Sequence, residues 1–395
     1  MPPRYREVKT ETLTKPSRWG IWLFAVALAA LLSGSSPLRA FPFQEPAKPE
    51  KSEAPPESDK QTDDKQPKDK QPKSKKENAD RANELSGVLW RDPGAIASLD
   101  LLNGEGGAKD APDPHSEYTF IKEDLSGTST KFNVQDSNGV KWLVKLGVEA
   151  RPETAATRLV WAAGYFTDED YFLPQIHVKS LPKLRREMFG ALPETGIVPN
   201  VRLKRESEGL KKVGNWDWFD NPFVGTRELN GLRVMMALIN NWDLSTKNNK
   251  VYVANSERHF VVSDLGASFG KTQWPPSHVP LFPHGTKGSL KDYEDSKFIR
   301  AEKGETVAFE MHTTAPFFIR EFDHSYFNEY RQAEQVARGI PIADAQWIGH
   351  LLAQLTPQQI RDAFRAAGYQ PDEVDGFAKV VEKRIAALNQ LKIKK

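Results

Sequence analysis

After Phe43 the chain runs to residue 83 with almost no aliphatic side chains, so any hydrophobic core must be built from Leu85 onward. The stretch consists of Pro, Lys, Glu, Asp, Gln and Ser, with charges alternating as in Lys60-Gln61-Thr62-Asp63-Asp64-Lys65. Such a segment buries too little apolar surface to offset the entropy lost on ordering it. Residues 41–83 are therefore expected to form a disordered, self-solvating linker. Ahead of it, Arg4, Arg6, Lys9, Lys15 and Arg18 precede an apolar run over residues 19–32, followed by Ser33-Gly34-Ser35-Ser36-Pro37. A membrane span needs roughly 20 apolar residues, and this run is shorter. Its basic flank and length suit a signal peptide. Residues 1–40 are read as a signal peptide or, alternatively, an uncleaved membrane anchor. Either way the chain is expected to be exported (periplasmic, extracellular or in a secretory pathway), with membrane attachment through this segment in the second case.

The rest of the 395 residues can bury a large core as one two-part domain or two small ones. The net charge of +2 gives no electrostatic bias toward nucleic acid, which is not expected as a partner. With no cysteine, the chain has no disulfides, thiolate catalysis or Cys-bound zinc. The hydrophobic pattern changes along the chain. Residues 131–134 and 140–146, joined by Asp136-Ser137-Asn138-Gly139, predict a hairpin. Pro152 opens a helix that Gly164 closes. Further strands are expected over residues 175–205. In residues 226–240, Leu229, Leu232, Met236 and Ile239 line one helical face, and a second hairpin follows over residues 250–263. Beyond Phe317 the pattern is helical, with Thr356-Pro357-Gln358-Gln359 as a capped helix start.

Chemistry-bearing residues cluster at two places in the second half. Asn240-Asn241-Trp242-Asp243-Leu244-Ser245-Thr246-Lys247-Asn248 follows an apolar helix, and Asp264-Leu265-Gly266 follows the second hairpin. Phosphoryl transfer needs oxygen ligands for a divalent metal and a carboxylate near the acceptor hydroxyl. Asn248 and Asp264 could supply the first and Asp243 the second. Each segment alone reads first as an ordinary Asn/Asp turn. Upstream, Lys145 ends the strand Val140-Lys141-Trp142-Leu143-Val144-Lys145, and Leu143 shares its face while Trp142 and Val144 take the other. Glu153, eight residues on, can pair with Lys145; Glu149 competes for that role. Gly127, Thr128 and Ser129 lie in a Gly/Ser/Thr turn that could drape over phosphates, a weak signal by itself. Trp216, Trp218, Phe219 and Phe223 are read as packing between lobes, and Arg202, Lys204, Arg205, Lys211 and Lys212 as a solvated basic face.

This ordered set resembles the atypical kinase superfamily that includes HipA-type toxin kinases, type II phosphatidylinositol 4-kinases and secretory-pathway protein kinases. Asp243-x4-Asn248 resembles its catalytic-loop Asp and metal-binding Asn. Asp264-Leu265-Gly266-Ala267-Ser268-Phe269-Gly270 resembles the Asp-x-Gly-x-x-Phe-Gly metal motif of secreted kinases. Pro152-Glu153, Arg158-Leu159 and Ala162-Ala163-Gly164 resemble the helix that follows the Lys strand in HipA-type proteins. The resemblance implies an α+β, two-lobed protein-kinase-like fold, with a small β-rich N-lobe over residues 84–174 and a larger, mostly helical C-lobe over residues 175–395. It implies ATP and Mg2+ or Mn2+ as cofactors, and a protein or small-molecule hydroxyl as acceptor. Asp243 would be catalytic. Gly127, Thr128, Ser129, Lys145 and Glu153 would bind nucleotide, and Asn248 and Asp264 would bind metal. Asp243-Leu244-Ser245 departs from the pattern by lacking the basic or His residue often found just after the Asp. Tyr171-Phe172-Leu173 is the candidate adenine hinge. The alternative is an exported pseudokinase or binding module that keeps the fold without turnover. A hydrolase ranks last, since no nucleophile arrangement is present.

Overall fold

The computed structural model describes residues 85–127, 129–186, 195–206, 209–271, 286–311 and 331–393. The signal or anchor segment, the linker and Thr128 lie outside the described residues. In chain order the elements begin with β1 (Gly87–Val88), β2 (Glu117–Asp124), β3 (Lys131–Gln135), β4 (Lys141–Leu146), α1 (Ala150–Ala162), β5 (Asp170–Lys179) and β6 (Ile197–Arg205). They continue with β7 (Lys211–Asn215), α2 (Arg227–Leu238), β8 (Asn249–Ala254), β9 (Glu257–Val262), α3 (Leu290–Asp295), β10 (Ile299–Lys303) and β11 (Thr306–Phe309). The last are β12 (Ile340–Pro341), α4 (Ile342–Leu352), α5 (Pro357–Ala366) and α6 (Pro371–Asn389). The fold is mixed α+β. No helix among the described residues is long and apolar enough to cross a membrane.

Strands β2-β3-β4-β6-β5 close into a barrel, sealed by a parallel pairing of β2 with β5. Its interior takes alternate residues of each strand, including Phe132 and Val134, Trp142 and Val144, Tyr171 and Leu173, and Val201 and Leu203. The first hairpin forms as the sequence predicts, and Asp136 shows why. Its Oδ1 accepts from the amides of Asn138 and Val140, both at 2.9 Å, and its Oδ2 accepts from Trp142 Nε1 at 2.9 Å. Gly139 takes the left-handed φ of +84° that this turn requires.

Two expectations concern these strands. Strand β5 crosses residue 174, where the sequence reading divides two lobes, and β6 still belongs to the barrel. The barrel therefore extends to Arg205, because β5 and β6 complete the closed sheet. The candidate hinge Tyr171-Phe172-Leu173 is ordinary barrel strand within β5.

A second hydrophobic cluster holds α1, α2, the β8–β9 hairpin and the C-terminal helices. Hairpin β8–β9 turns through Asn255 and Ser256, both at positive φ, as a two-residue turn between twisted strands demands. Trp216 and Trp218 are buried in this one cluster rather than between two bodies, and their ring nitrogens donate to Val261 O and Leu244 O. Phe219 is exposed.

The segment from Leu85 to Gly104 straps this part together. Strand β1 adds in parallel to the edge of β9. Helix α1 ends in a Schellman motif, with Gly164 N bonded to Trp161 O and Tyr165 N to Val160 O. The strap then meets the helix end. Trp90 Nε1 donates to Ala163 O at 2.8 Å and Arg91 N to Gly164 O at 2.9 Å. Leu89, Ile96 and Leu101 enter the core.

Candidate functional site

Strand register sets three cations in a row. Lys131 on β3 lies opposite Lys145 on β4, and Lys145 lies opposite Arg202 on β6. Directly opposed residues share a face, so these side chains leave the barrel on its outer side. Helix α1 packs over that side and brings Glu153 from its first turn.

Lys145 is 2% exposed, and its Nζ touches three carboxylates. Glu149 Oε2 is 2.6 Å away, Glu153 Oε2 3.0 Å and Asp264 Oδ1 2.5 Å. The three acids converge within 4.8 Å of one another, with the ammonium among them. Burial disfavours the charged Lys145, but Glu153, Asp264 and Glu149 outweigh it and hold its pKa well above the ordinary value. Asp264 shows the complementary effect. Burial opposes its ionisation, and Lys145 more than offsets this, leaving its pKa below the usual carboxylate value.

The other Glu153 oxygen accepts from Arg202 Nη2 at 3.1 Å, and Arg202 Nη1 lies 3.4 Å from Asp170. Arg202 is therefore no part of a solvated face. It is 4% exposed and fixes Glu153 from behind. Lys204 likewise pairs with Asp168 at 2.9 Å.

Helix α2 delivers Asp243. It ends in a second Schellman motif, with Asn240 at φ +51°, Asn240 N bonded to Ala237 O and Asn241 N to Met236 O. The loop beyond is laced to the one after Asp264: Trp242 N donates to Ala267 O, and Phe269 N to Ile239 O. Asn248 Nδ2 donates to Asp243 O at 3.3 Å, while Asn248 O accepts from Ser263 N at 3.0 Å. These bonds bring Asp243 and Asn248 beside the residue preceding Asp264. Asp264 itself sits at φ +57°, a strained conformation for a residue with a side chain, costing about 1 kcal/mol or more. Burial, then the neighbouring Asp264, pushes the Asp243 carboxyl above its ordinary value.

The Gly/Ser/Thr turn reaches the site through Ser129, whose Oγ donates to Glu149 Oε2 at 3.2 Å. Gly127 takes φ +65°, and its carbonyl is held by Arg186, which also binds the carbonyls of Leu125 and Ser126. Thus Lys145, Glu153 and Asp264 meet directly, Asp243 and Asn248 join through backbone, and Ser129 joins through Glu149.

Sequence reasoning missed Arg202 and Lys287. Residues 175–205 were expected to hold strands, but only the helix laid over β6 shows that Arg202 is buried. Lys287 carries no local signal. Its Nζ pairs with Glu149 Oε1 and lies 5.4 Å from the Trp242 ring centre. Glu149, weighed as a rival of Glu153, binds Lys145 together with it.

Neither a protein-family model nor a curated protein matches the chain. Among solved structures, a Helicobacter pylori proinflammatory kinase, CtkA, aligns over 70% of this chain and 99% of its own, at 11% identity and a TM-score of 0.31. A superposition that loose carries no weight, and the functional reading rests on the site.

Proposed function

We propose that the chain is an ATP- and metal-dependent phosphotransferase with a two-lobed, protein-kinase-like organisation, acting on a hydroxyl of a protein or small-molecule acceptor. One observation carries this reading. Lys145 is ion-paired at once with Glu153 from the next helix and with Asp264 from the turn after a distant hairpin. A buried ammonium held between these two carboxylates, with a second pair of polar residues laced alongside, matches what phosphate binding and metal binding require together.

The donor set fits a hard divalent cation, since oxygen ligands suit Mg2+ or Mn2+. Asp264 keeps 44% of its side chain exposed while Glu153 keeps none, so Asp264 is the carboxylate able to offer an oxygen outward. The Asn248 amide spends its nitrogen on Asp243 O, which leaves its oxygen for a ligand role. A bound metal would neutralise phosphate oxygens at this place. Lys145 would hold the phosphates, with Glu153 and Arg202 fixing its position. Asp243 would orient the acceptor hydroxyl and take its proton. Export is part of the proposal and rests on residues 1–40 alone.

The test is thermal stabilisation of the full chain by ATP with Mg2+ or Mn2+. A shift that disappears in Asp264→Ala is expected; no shift with either metal overturns the reading. Autophosphorylation lost in Asp243→Ala then separates an enzyme from a binding module with the same site.

A further inference from the structure

Glu149 is the first-turn neighbour of α1, yet its side chain makes no bond to its own helix end. It turns instead into a seat formed by three donors from three segments. Lys145 Nζ lies 2.6 Å from Oε2, Ser129 Oγ donates to the same oxygen at 3.2 Å, and Lys287 Nζ binds Oε1. Two ammonium groups and a hydroxyl around one bridging anion form the donor set of a phosphate site. Gly266 completes it. A Cβ at that position would stand 2.7 Å from Glu149 Cβ and 3.0 Å from its Cγ, too close for both to stay. Gly266 is not among the glycines at positive φ, so the need for glycine here is space rather than backbone conformation. The seat is thus built on four sides, and a charged side chain that is 98% buried, Lys145, points into it.

We propose that Lys145, Lys287 and Ser129 form an oligophosphate-binding subsite in which the Glu149 carboxylate is a resident internal anion that an incoming ligand must displace. The ligand class is a linear oligophosphate, either free or as the tail of a nucleotide. The nucleotide case rests on the phosphotransferase reading above; the anion subsite does not. Displacement keeps both lysines compensated, one anion replacing another, and frees Glu149 to turn toward solvent. The site therefore discriminates against weak anions, because a ligand gains only the difference between its own contacts and those of Glu149.

The experiment is calorimetric titration of the full chain with inorganic tripolyphosphate in EDTA, and separately with ATP plus Mg2+. Glu149→Gln keeps the size of the residue and removes the competing charge. It should bind tripolyphosphate about tenfold more tightly than the parent, the equivalent of one charge-assisted hydrogen bond no longer contested. Gly266→Ala, which pushes the carboxylate from its seat without changing charge, should show a gain of the same sign. This keeps the test open if Glu149→Gln does not fold. Adding Lys287→Ala to Glu149→Gln should remove the gain. Equal or weaker binding by both single variants, or no tripolyphosphate binding by any form, overturns the proposal. ATP binding to the parent without a gain in Glu149→Gln would sink the internal anion and spare the nucleotide reading. Tripolyphosphate binding with no ATP binding would do the reverse.

Discussion

Glu149 is a carboxylate shared by two ammonium groups, and that sharing sets its pH behaviour. Burial works against its ionisation, but Lys145 and Lys287 outweigh it and bring its pKa from 4.5 to about 2. Asp264 shifts in the same direction. An acid whose folded pKa is depressed contributes its full stabilisation above the unfolded value and loses it as pH falls through the folded one. The window for Glu149 therefore runs from 4.5 down to about 2. Urea unfolding across that window should show a steeper fall in stability for the parent than for Glu149→Gln, which lacks the titrating group. Parallel pH profiles would mean that Glu149 is not held by both lysines in solution.

At the scale of elements, the end of α2 matters most for the site, because Asp243 follows it directly. Arg384 on α6 reaches across to this end. Its Nη1 donates to Ala237 O at 3.1 Å and Leu238 O at 3.0 Å, and its guanidinium lies 4.1 Å from the Tyr293 ring centre. Tyr293 OH adds a bond to Leu238 O at 2.6 Å. Here the cation adds a second donor to carbonyls already met by Asn240 N and Tyr293 OH, and it suits the helix dipole. Arg384→Met should therefore cost roughly 2 kcal/mol in chemical denaturation, as both carbonyls lose a charged donor while keeping Asn240 N and Tyr293 OH. Under the proposed function it should also lower turnover more than nucleotide affinity, because the helix end positions Asp243 rather than Lys145. A loss under about 0.5 kcal/mol, the range of an ordinary surface change, would show that other groups hold this end.

The elements were legible in the sequence wherever local chemistry decides them. Residues 226–240 hold α2, as the apolar face implied, and Thr356 with Gln359 forms the capping box that starts α5. The first hairpin formed where its turn residues marked it, and the second formed within residues 250–263 but turns earlier than expected, at Asn255 and Ser256. The spacing from Lys145 to Glu153 identified a contact that the structure makes. Arg202 and Lys287 were not legible, because their roles are fixed by what packs against them. In isolation Arg202 is a polar residue on an alternating strand, and Lys287 is a single Lys separated from Glu149 by much of the chain. The barrel's extent was also hidden: the pairing of β2 with β5 is a long-range event without a turn to announce it.

At the scale of the whole molecule, the strap contributes to the large core although it lies before the barrel in the chain. Leu89, Ile96 and Leu101 are each at most 2% exposed. Gln359 on α5 binds the strap's backbone through Nε2 at Ile96 O and Leu99 O, both 2.8 Å. Losing a buried Leu or Ile typically costs about 2–5 kcal/mol, so losing three approaches the whole stability of a domain. Removing residues 1–84 should leave a single cooperative thermal transition. Removing residues 1–105 should abolish it or displace it far downward. A transition unchanged by the longer truncation would show that the strap is ornamental.

The strap also has a mechanical meaning. A pull on the chain ahead of Leu85 is met first by the edge pairing, where Arg258 N holds Ser86 O at 2.8 Å, and next by Trp90 and Arg91 on the last turn of α1. Tension that strips these bonds uncovers one end of the helix whose other end carries Glu149 and Glu153. The strap's last hold and two partners of Lys145 thus sit at opposite ends of one helix.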